Sequence, residues 1–328
     1  MSEPILSVVV VIVSDTTDRR IDVQYLRRSL ESQRGQEYAP SMEVIVPHLP
    51  DVAVEGLKRE FPEARFLEVA DLKTYTGESG GREHHDELRA RGLTAARGEI
   101  IGLLEDHGVA AAGWARAAVE LHRRHTDFAA IGGAIENAVD RPLNAAVYFC
   151  DFLRYKSPLP EGPSGFASDA NITYKRADLE QIRGVWQQIF HETAVNGALQ
   201  AAGRQVALSP RLVVYQHRGK LRLGMALAER HIWGRSYAGT RSGLVGLGKR
   251  AALAALSPVL PAVLLLRMTA AAARKPGTMA AFLKALPLTV ALQISWSAGE
   301  ARGYITGRAH RGGAPAADAI LRKGAAAR

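Results

Sequence analysis

Gly98-Glu99-Ile100-Ile101-Gly102-Leu103-Leu104-Glu105-Asp106-His107 is a short apolar run that ends at once in two carboxylates and an imidazole. The run has a buried strand's length. Polar groups at the end of such a strand are costly unless solvent, a cation or a ligand meets them. Outward from it, apolar strands alternate with amphipathic helices, the pattern of a parallel α/β sheet. Ligands on such sheets bind beyond the carboxyl ends of the strands. Glu105, Asp106 and His107 are therefore expected in a binding crevice, with oxygen and nitrogen donors suited to a divalent metal.

The flanking elements follow from periodicity. Ile5–Val13, rich in β-branched residues, is expected as the first strand rather than a signal peptide, because no basic region precedes it and Ser14-Asp15 ends it. Val23–Gln33 carries apolar residues at Val23, Leu26 and Leu30, a helical stripe. Strands are expected over Met42–Val46, Arg65–Val69 and Glu99–Leu104, and helices over Val52–Phe61, Glu83–Ala96 and Ala112–His125. Polar, Gly-rich Lys73–Gly81 reads as a mobile loop, and Lys156–Gly165 as a Pro/Gly-rich one. Ala129–Ile135 and Ala167–Tyr174 read as strands, Phe190–Gly203 as a helix, and Val206–Leu208 and Leu212–Tyr215 as short strands flanking Pro210. The tail Gly307–Arg328 is Ala/Gly/Arg-rich and expected to be disordered.

At 328 residues and 47% hydrophobic, the chain can bury one large core with an appendage. A single cysteine, Cys150, excludes an intramolecular disulfide framework and a cysteine zinc cluster. Net charge is divided unevenly: −6 over residues 1–217 and +15 over 218–328. The basic third has few aromatics and no nucleic-acid motif, which argues against nucleic acid. An anionic membrane surface suits it better. Ala251–Leu266 and Ala285–Gly299 carry no charge, contain prolines (Pro258 and Pro261; Pro287) and have cationic flanks. Each falls short of the roughly 20 residues of a spanning helix, so an interfacial or re-entrant attachment is expected. The competing reading is a pair of helices that pack on the catalytic domain or make a dimer. Nothing in the sequence assigns an oligomeric state.

In order along the chain, five stretches resemble the family 2 glycosyltransferases. They are Leu6–Ser14 with Leu26-Arg27-Arg28-Ser29-Leu30-Glu31-Ser32-Gln33; Glu43-Val44-Ile45-Val46; Arg91–Ile101 leading to Glu105-Asp106-His107 and Gly113-Trp114; Ser168–Arg176; and His191-Glu192 with Gly203 beyond. They cover about residues 5–217. The stretch Trp296–Tyr304 resembles the end of many membrane-associated bacterial-type members. The resemblance implies a GT-A fold, a mixed central sheet flanked by helices, over 1–217. Apolar, basic helices would follow over 218–306, then the tail 307–328.

It also implies an inverting transfer of a sugar from a nucleotide-diphosphate donor to a hydroxyl of a lipid-linked or cell-envelope glycan, at the cytoplasmic face of the membrane. Glu192 would be the general base. Ser14, Asp15, Asp51, Arg89, Glu105 and Asp106 would meet the nucleotide sugar, although Arg89 also reads as a solvated helix residue. Asp169, Asn171, His191 and Trp233 would lie on the acceptor side, and Glu105, Asp106 and His107 would hold Mn²⁺ or Mg²⁺. Three histidines depart from the pattern. His107 stands where a metal-binding Asp is usual, which favours Mn²⁺. His48 is near the place of a nucleoside-binding Asp, and His191 replaces the first acid before Glu192. These departures motivate a second reading, a weakened relative that binds nucleotide or sugar without transfer. Nucleotidyltransferases and dinucleotide oxidoreductases fit poorly, since residues 14–20 after the first strand contain no glycine.

Overall fold

The computed structural model describes residues 3–14, 23–38, 41–74, 83–243 and 245–308. The expected loop Lys73–Gly81 and tail Gly307–Arg328 fall largely outside these residues, as does Asp15. The strands are β1 (Leu6–Val11), β2 (Met42–His48), β3 (Ala64–Glu68), β4 (Ile100–Glu105), β5 (Gly108–Ala110), β6 (Phe128–Asn137), β7 (Gly162–Pro163), β8 (Asn171–Lys175) and β9 (Gln205–Gln216). The helices are α1 (Val23–Arg34), α2 (Glu55–Glu60), α3 (Glu83–Ala95), α4 (Trp114–Arg124), α5 (Pro142–Phe152), α6 (Arg176–Gln181), α7 (Arg183–Trp186), α8 (Glu192–Ala201), α9 (Leu223–Ser242), α10 (Leu247–Leu256), α11 (Leu260–Ala273) and α12 (Thr278–Thr306). Two compact units result. One comprises residues 1–73, 84–136 and 157–217; the other comprises 74–83, 137–156 and 218–328.

The first unit is a mixed α/β layer structure. Its sheet runs β3-β2-β1-β4-β8-β6-β9-β5, with β7 added beside β9. Strands β1 to β4 are parallel, while β8 lies antiparallel to both β4 and β6. β1 and β4 are buried along their whole length, as continuous apolar runs require in a sheet covered on both faces. Their register sets Val11 beside Glu105, so the acidic cluster begins where the parallel ladder ends. Helix α3 can lie close on β1 because Gly92 has no side chain; a Cβ there would stand 2.3 Å from a Val9 methyl. Arg89, three residues earlier, shares that inward face.

Two expected segments are redrawn. The two short strands around Pro210 form one strand, β9, whose residues 210 and 211 are exposed, and the Arg211 N–H goes to the Ser209 hydroxyl at 3.3 Å. The strand expected from Ala167 begins at Asn171, because a turn closed by Asn171 N–H on the Ser168 carbonyl precedes it.

The second unit is helical. Its spine is α12, 29 residues long, which packs on α5, α9, α10 and α11. Helices α9 and α12 cross at backbone contact. A Cβ on Gly299 would meet the His231 carbonyl oxygen at 2.0 Å, and one on Gly303 would meet the Arg235 oxygen at 2.5 Å. Small residues four apart permit such an approach. Phe149 and Phe282 meet edge to face at 5.4 Å, and Arg230 pairs with Asp151 at 2.7 Å, joining α5 to α12 and to α9.

The apolar C-terminal runs are longer than their charge-free cores. Leu247–Ala273, 27 residues with a 3-10 turn at Ser257–Val259, and Thr278–Thr306, 29 residues, are both long and apolar enough to cross a membrane. The helices continue through Arg267, Lys284 and Glu300, and Pro287 lies inside α12 without ending it. The two differ in surroundings: 33% of the apolar window of α12 is buried against 6% for Leu247–Ala273. Leu247, Leu256, Val259 and Leu266 are all largely exposed.

Candidate active site

Beyond Glu105 the ladder continues one residue, with Asp106 N–H donating to the Val11 carbonyl at 2.9 Å. Asp106 is fully buried. Its Oδ1 accepts the Val13 N–H at 3.1 Å and its Oδ2 accepts the Ser14 hydroxyl, so two residues expected at the donor subsite are in contact. His107 sits between carboxylates, with Nδ1 3.2 Å from Asp106 Oδ1 and Nε2 3.2 Å from Glu105 Oε2. A neutral imidazole donates from one nitrogen only. With Nδ1–H given to Asp106, the Nε2 lone pair faces a carboxylate oxygen, which requires a proton or a cation between them.

Arg89 binds this strand end to the rest of the site. The residue is 1% exposed. Nη1 lies 2.9 Å from Asp86 Oδ1, and Nη2 lies 3.4 Å from Glu105 Oε1 and 3.1 Å from Asp169 Oδ2. Burial by itself would lower the guanidinium's pKa. Asp169, Asp86, Glu105 and Glu192 outweigh it and hold the group above its ordinary value. The solvated-helix reading of Arg89 is therefore corrected: its donors face carboxylates inside the fold. Glu192, first residue of α8, accepts the Asp169 N–H on Oε2 at 3.0 Å. It stands where the helix dipole favours negative charge. His191 Nδ1 lies 3.4 Å from Asp86 Oδ2. Glu105, Asp106, His107, Arg89, Asp169, His191 and Glu192 thus lie in one connected web.

The web's charge bears on a metal. Among the described residues, Asp86, Glu105, Asp106, Asp169 and Glu192 stand against a single arginine in the web's interior. A buried excess of carboxylates is costly unless cations or protons meet it. Among the described residues no three His, Cys, Asp or Glu side chains are arranged to hold an ion by themselves. The fit is to a partial shell, Glu105 with His107. Mg²⁺ and ions like it are commonly held by one or two carboxylates and completed by substrate phosphates.

Other candidates are placed differently. Asn171 is fully buried; its Oδ1 accepts the Trp114 indole N–H at 3.0 Å and its Nδ2 serves the carbonyls of Ala134 and Leu212 at 2.9 and 3.1 Å. It ties sheet to helix and presents nothing to an acceptor. Asp51 is exposed in a turn just past β2. Trp233 belongs to α9 of the second unit, its ring 5.2 Å from the Arg230 guanidinium. His48 closes β2 in the core, with Nδ1 2.9 Å from the Leu49 carbonyl. Asp86 and Gln216 were not anticipated. Asp86 carried a signal, standing three residues before Arg89 on one helix face.

No protein-family model matches the chain, and no curated protein matches it in sequence. Among solved structures it is similar to the mannosyltransferase PcManGT from Pyrobaculum calidifontis, solved in complex with GDP-Man and Mn²⁺. The identity is 17% and the TM-score 0.47, over 100% of this chain and 81% of that one.

Replacing Arg89 leaves buried carboxylates without their cation. Arg89→Ala should cost roughly 3–5 kcal/mol in urea unfolding. A loss below about 1 kcal/mol, the value of a surface pair, would show that Arg89 does not hold the web.

Proposed function

We propose that the chain is an inverting glycosyltransferase of the GT-A type, similar to family 2. It would move a sugar from a nucleotide-diphosphate donor to a hydroxyl of a lipid-linked or cell-envelope glycan. One observation carries this reading: the strand-end pair Glu105 and His107 and the helix-end carboxylate Glu192 meet around Arg89, though 87 positions separate the two glutamates. Transfer needs those two parts, a place where negative charge gathers on the leaving diphosphate and a base for the incoming hydroxyl.

In this reading Glu192 takes the acceptor hydroxyl's proton. The acceptor oxygen bonds to the anomeric carbon as the bond to the diphosphate breaks on the opposite face, giving inversion. Asp169 positions Glu192 through its N–H, Asp106 holds the His107 ring, and His191 borders the acceptor side. Mn²⁺ or Mg²⁺ held by Glu105 and His107 would supply Lewis-acid charge to the leaving diphosphate.

The second unit supports attachment to an anionic membrane at the cytoplasmic face. Leu247–Ala273 is the contacting element, since it is the apolar helix pair left uncovered. No carboxylate occurs between Glu229 and Glu300, whereas Lys249, Arg267, Arg274 and Lys284 do. Cations beside an exposed apolar helix suit anionic headgroups.

Glu192→Gln should reduce turnover by roughly 10²–10⁴-fold while donor binding is kept. Retained turnover would remove Glu192 as the base. Donor binding without turnover in the unaltered protein would favour the weakened relative. The full chain should co-sediment with phosphatidylglycerol-containing vesicles and release partly in high salt; equal recovery in the supernatant with and without vesicles would contradict the membrane reading.

A further inference from the structure

We propose that Gln216 is a third protein ligand to the divalent cation, its carboxamide oxygen joining Glu105 and His107. The inference rests on the assignment of that pair to the cation. Gln216 is the last residue of β9 and lies opposite Gly108 in the antiparallel β5–β9 ladder. It reaches the strand end from 111 positions away in sequence.

Two observations point to a ligand. Gln216 is 3% exposed, and its Oε1 is buried without a hydrogen-bond partner. A buried carboxamide oxygen ordinarily finds a donor or an ion. Its Nε2 lies 3.5 Å from Glu105 Oε2, long for an amide–carboxylate hydrogen bond. The same Glu105 oxygen is 3.2 Å from His107 Nε2. Ligands at right angles around an ion with bonds of about 2.1 Å stand roughly 3 Å apart. The spacings around Glu105 Oε2 are therefore close to those of neighbouring ligands. The two ends of a carboxamide exchange by rotating its last torsion. That turn would bring the orphaned oxygen to the Glu105 side. A carbonyl oxygen is a natural donor for Mn²⁺ or Mg²⁺. Being neutral, it would add to the shell without adding to the buried negative charge.

The test is Mn²⁺ binding to the full chain without donor, read from the loss of the free ion's electron paramagnetic resonance signal. Gln216→Ala should weaken binding by about 10-fold or more. Gln216→Met, matched in size and lacking the oxygen, should do the same. Gln216→Glu restores an oxygen ligand and should bind Mn²⁺ at least as tightly as the unaltered protein. Unchanged affinity in folded Ala or Met variants would overturn the proposal. So would a Glu variant as weak as Ala, since an amide that merely donates to Glu105 is lost in both. If the unaltered chain takes up no Mn²⁺, with or without a nucleoside diphosphate, the assignment of Glu105 and His107 fails, and the role of Gln216 fails with it.

Discussion

One buried guanidinium, that of Arg89, ties three segments of the first unit together. Arg89 reaches carboxylates from its own helix, from the end of β4 and from the turn before β8. Each is costly to bury alone, and the cation they share makes their burial tolerable. The parallel pairing of β1 with β4 delivers Glu105 to this point, and the missing side chain of Gly92 lets α3 deliver Arg89. The turn before β8 brings Asp169, whose backbone N–H then fixes Glu192 at the head of α8. Among the described residues, the arginine's charge is too small to balance the carboxylates around it. That residual imbalance is what the proposed cation would offset, so the web would serve as a binding site as well as a structural clasp.

The second unit divides its apolar surface between packing and exposure. Glycines at 234, 299 and 303 let α9 and α12 touch at backbone distance, which commits one long face of α12 to the protein. Leu247–Ala273 also packs on α12, yet only 6% of its apolar window is buried. The sequence predicted two similar segments, each interrupted by proline. In the fold they differ because the α12 glycines 299 and 303 lie against the α9 backbone, whereas Gly248 of the other segment has nothing within 4 Å of its missing side chain. Glu300 continues that helix through the buried face by accepting the Trp296 indole N–H at 3.0 Å.

What could be read in the sequence was what depends on neighbours along the chain. Apolar runs and helical stripes located the strands β1 to β4 and the helices between them to within a few residues. The acidic cluster at residues 105–107 stood out because its position after a strand is a local property. The burial of Arg89 was not legible, because Glu105 and Asp169 reach it only through the fold. Asn171 looked like a polar group awaiting a ligand, yet Trp114, Ala134 and Leu212 occupy its amide. Gln216 gave no signal for the same reason: it ends a strand whose partner is more than a hundred residues earlier. Pro210 misled in the opposite direction, since β9 runs through it where Pro210 and Arg211 are exposed.

The central claim is that this charged web takes a nucleotide sugar together with a divalent cation. Calorimetric titration of the full chain with UDP-, GDP-, dTDP- and CDP-sugars, each with and without Mn²⁺, tests it directly. The account predicts binding of one nucleotide class that appears only with the metal and vanishes when Glu105 and His107 are both replaced by alanine. Absence of binding to every donor, in detergent as well as in buffer, would contradict it.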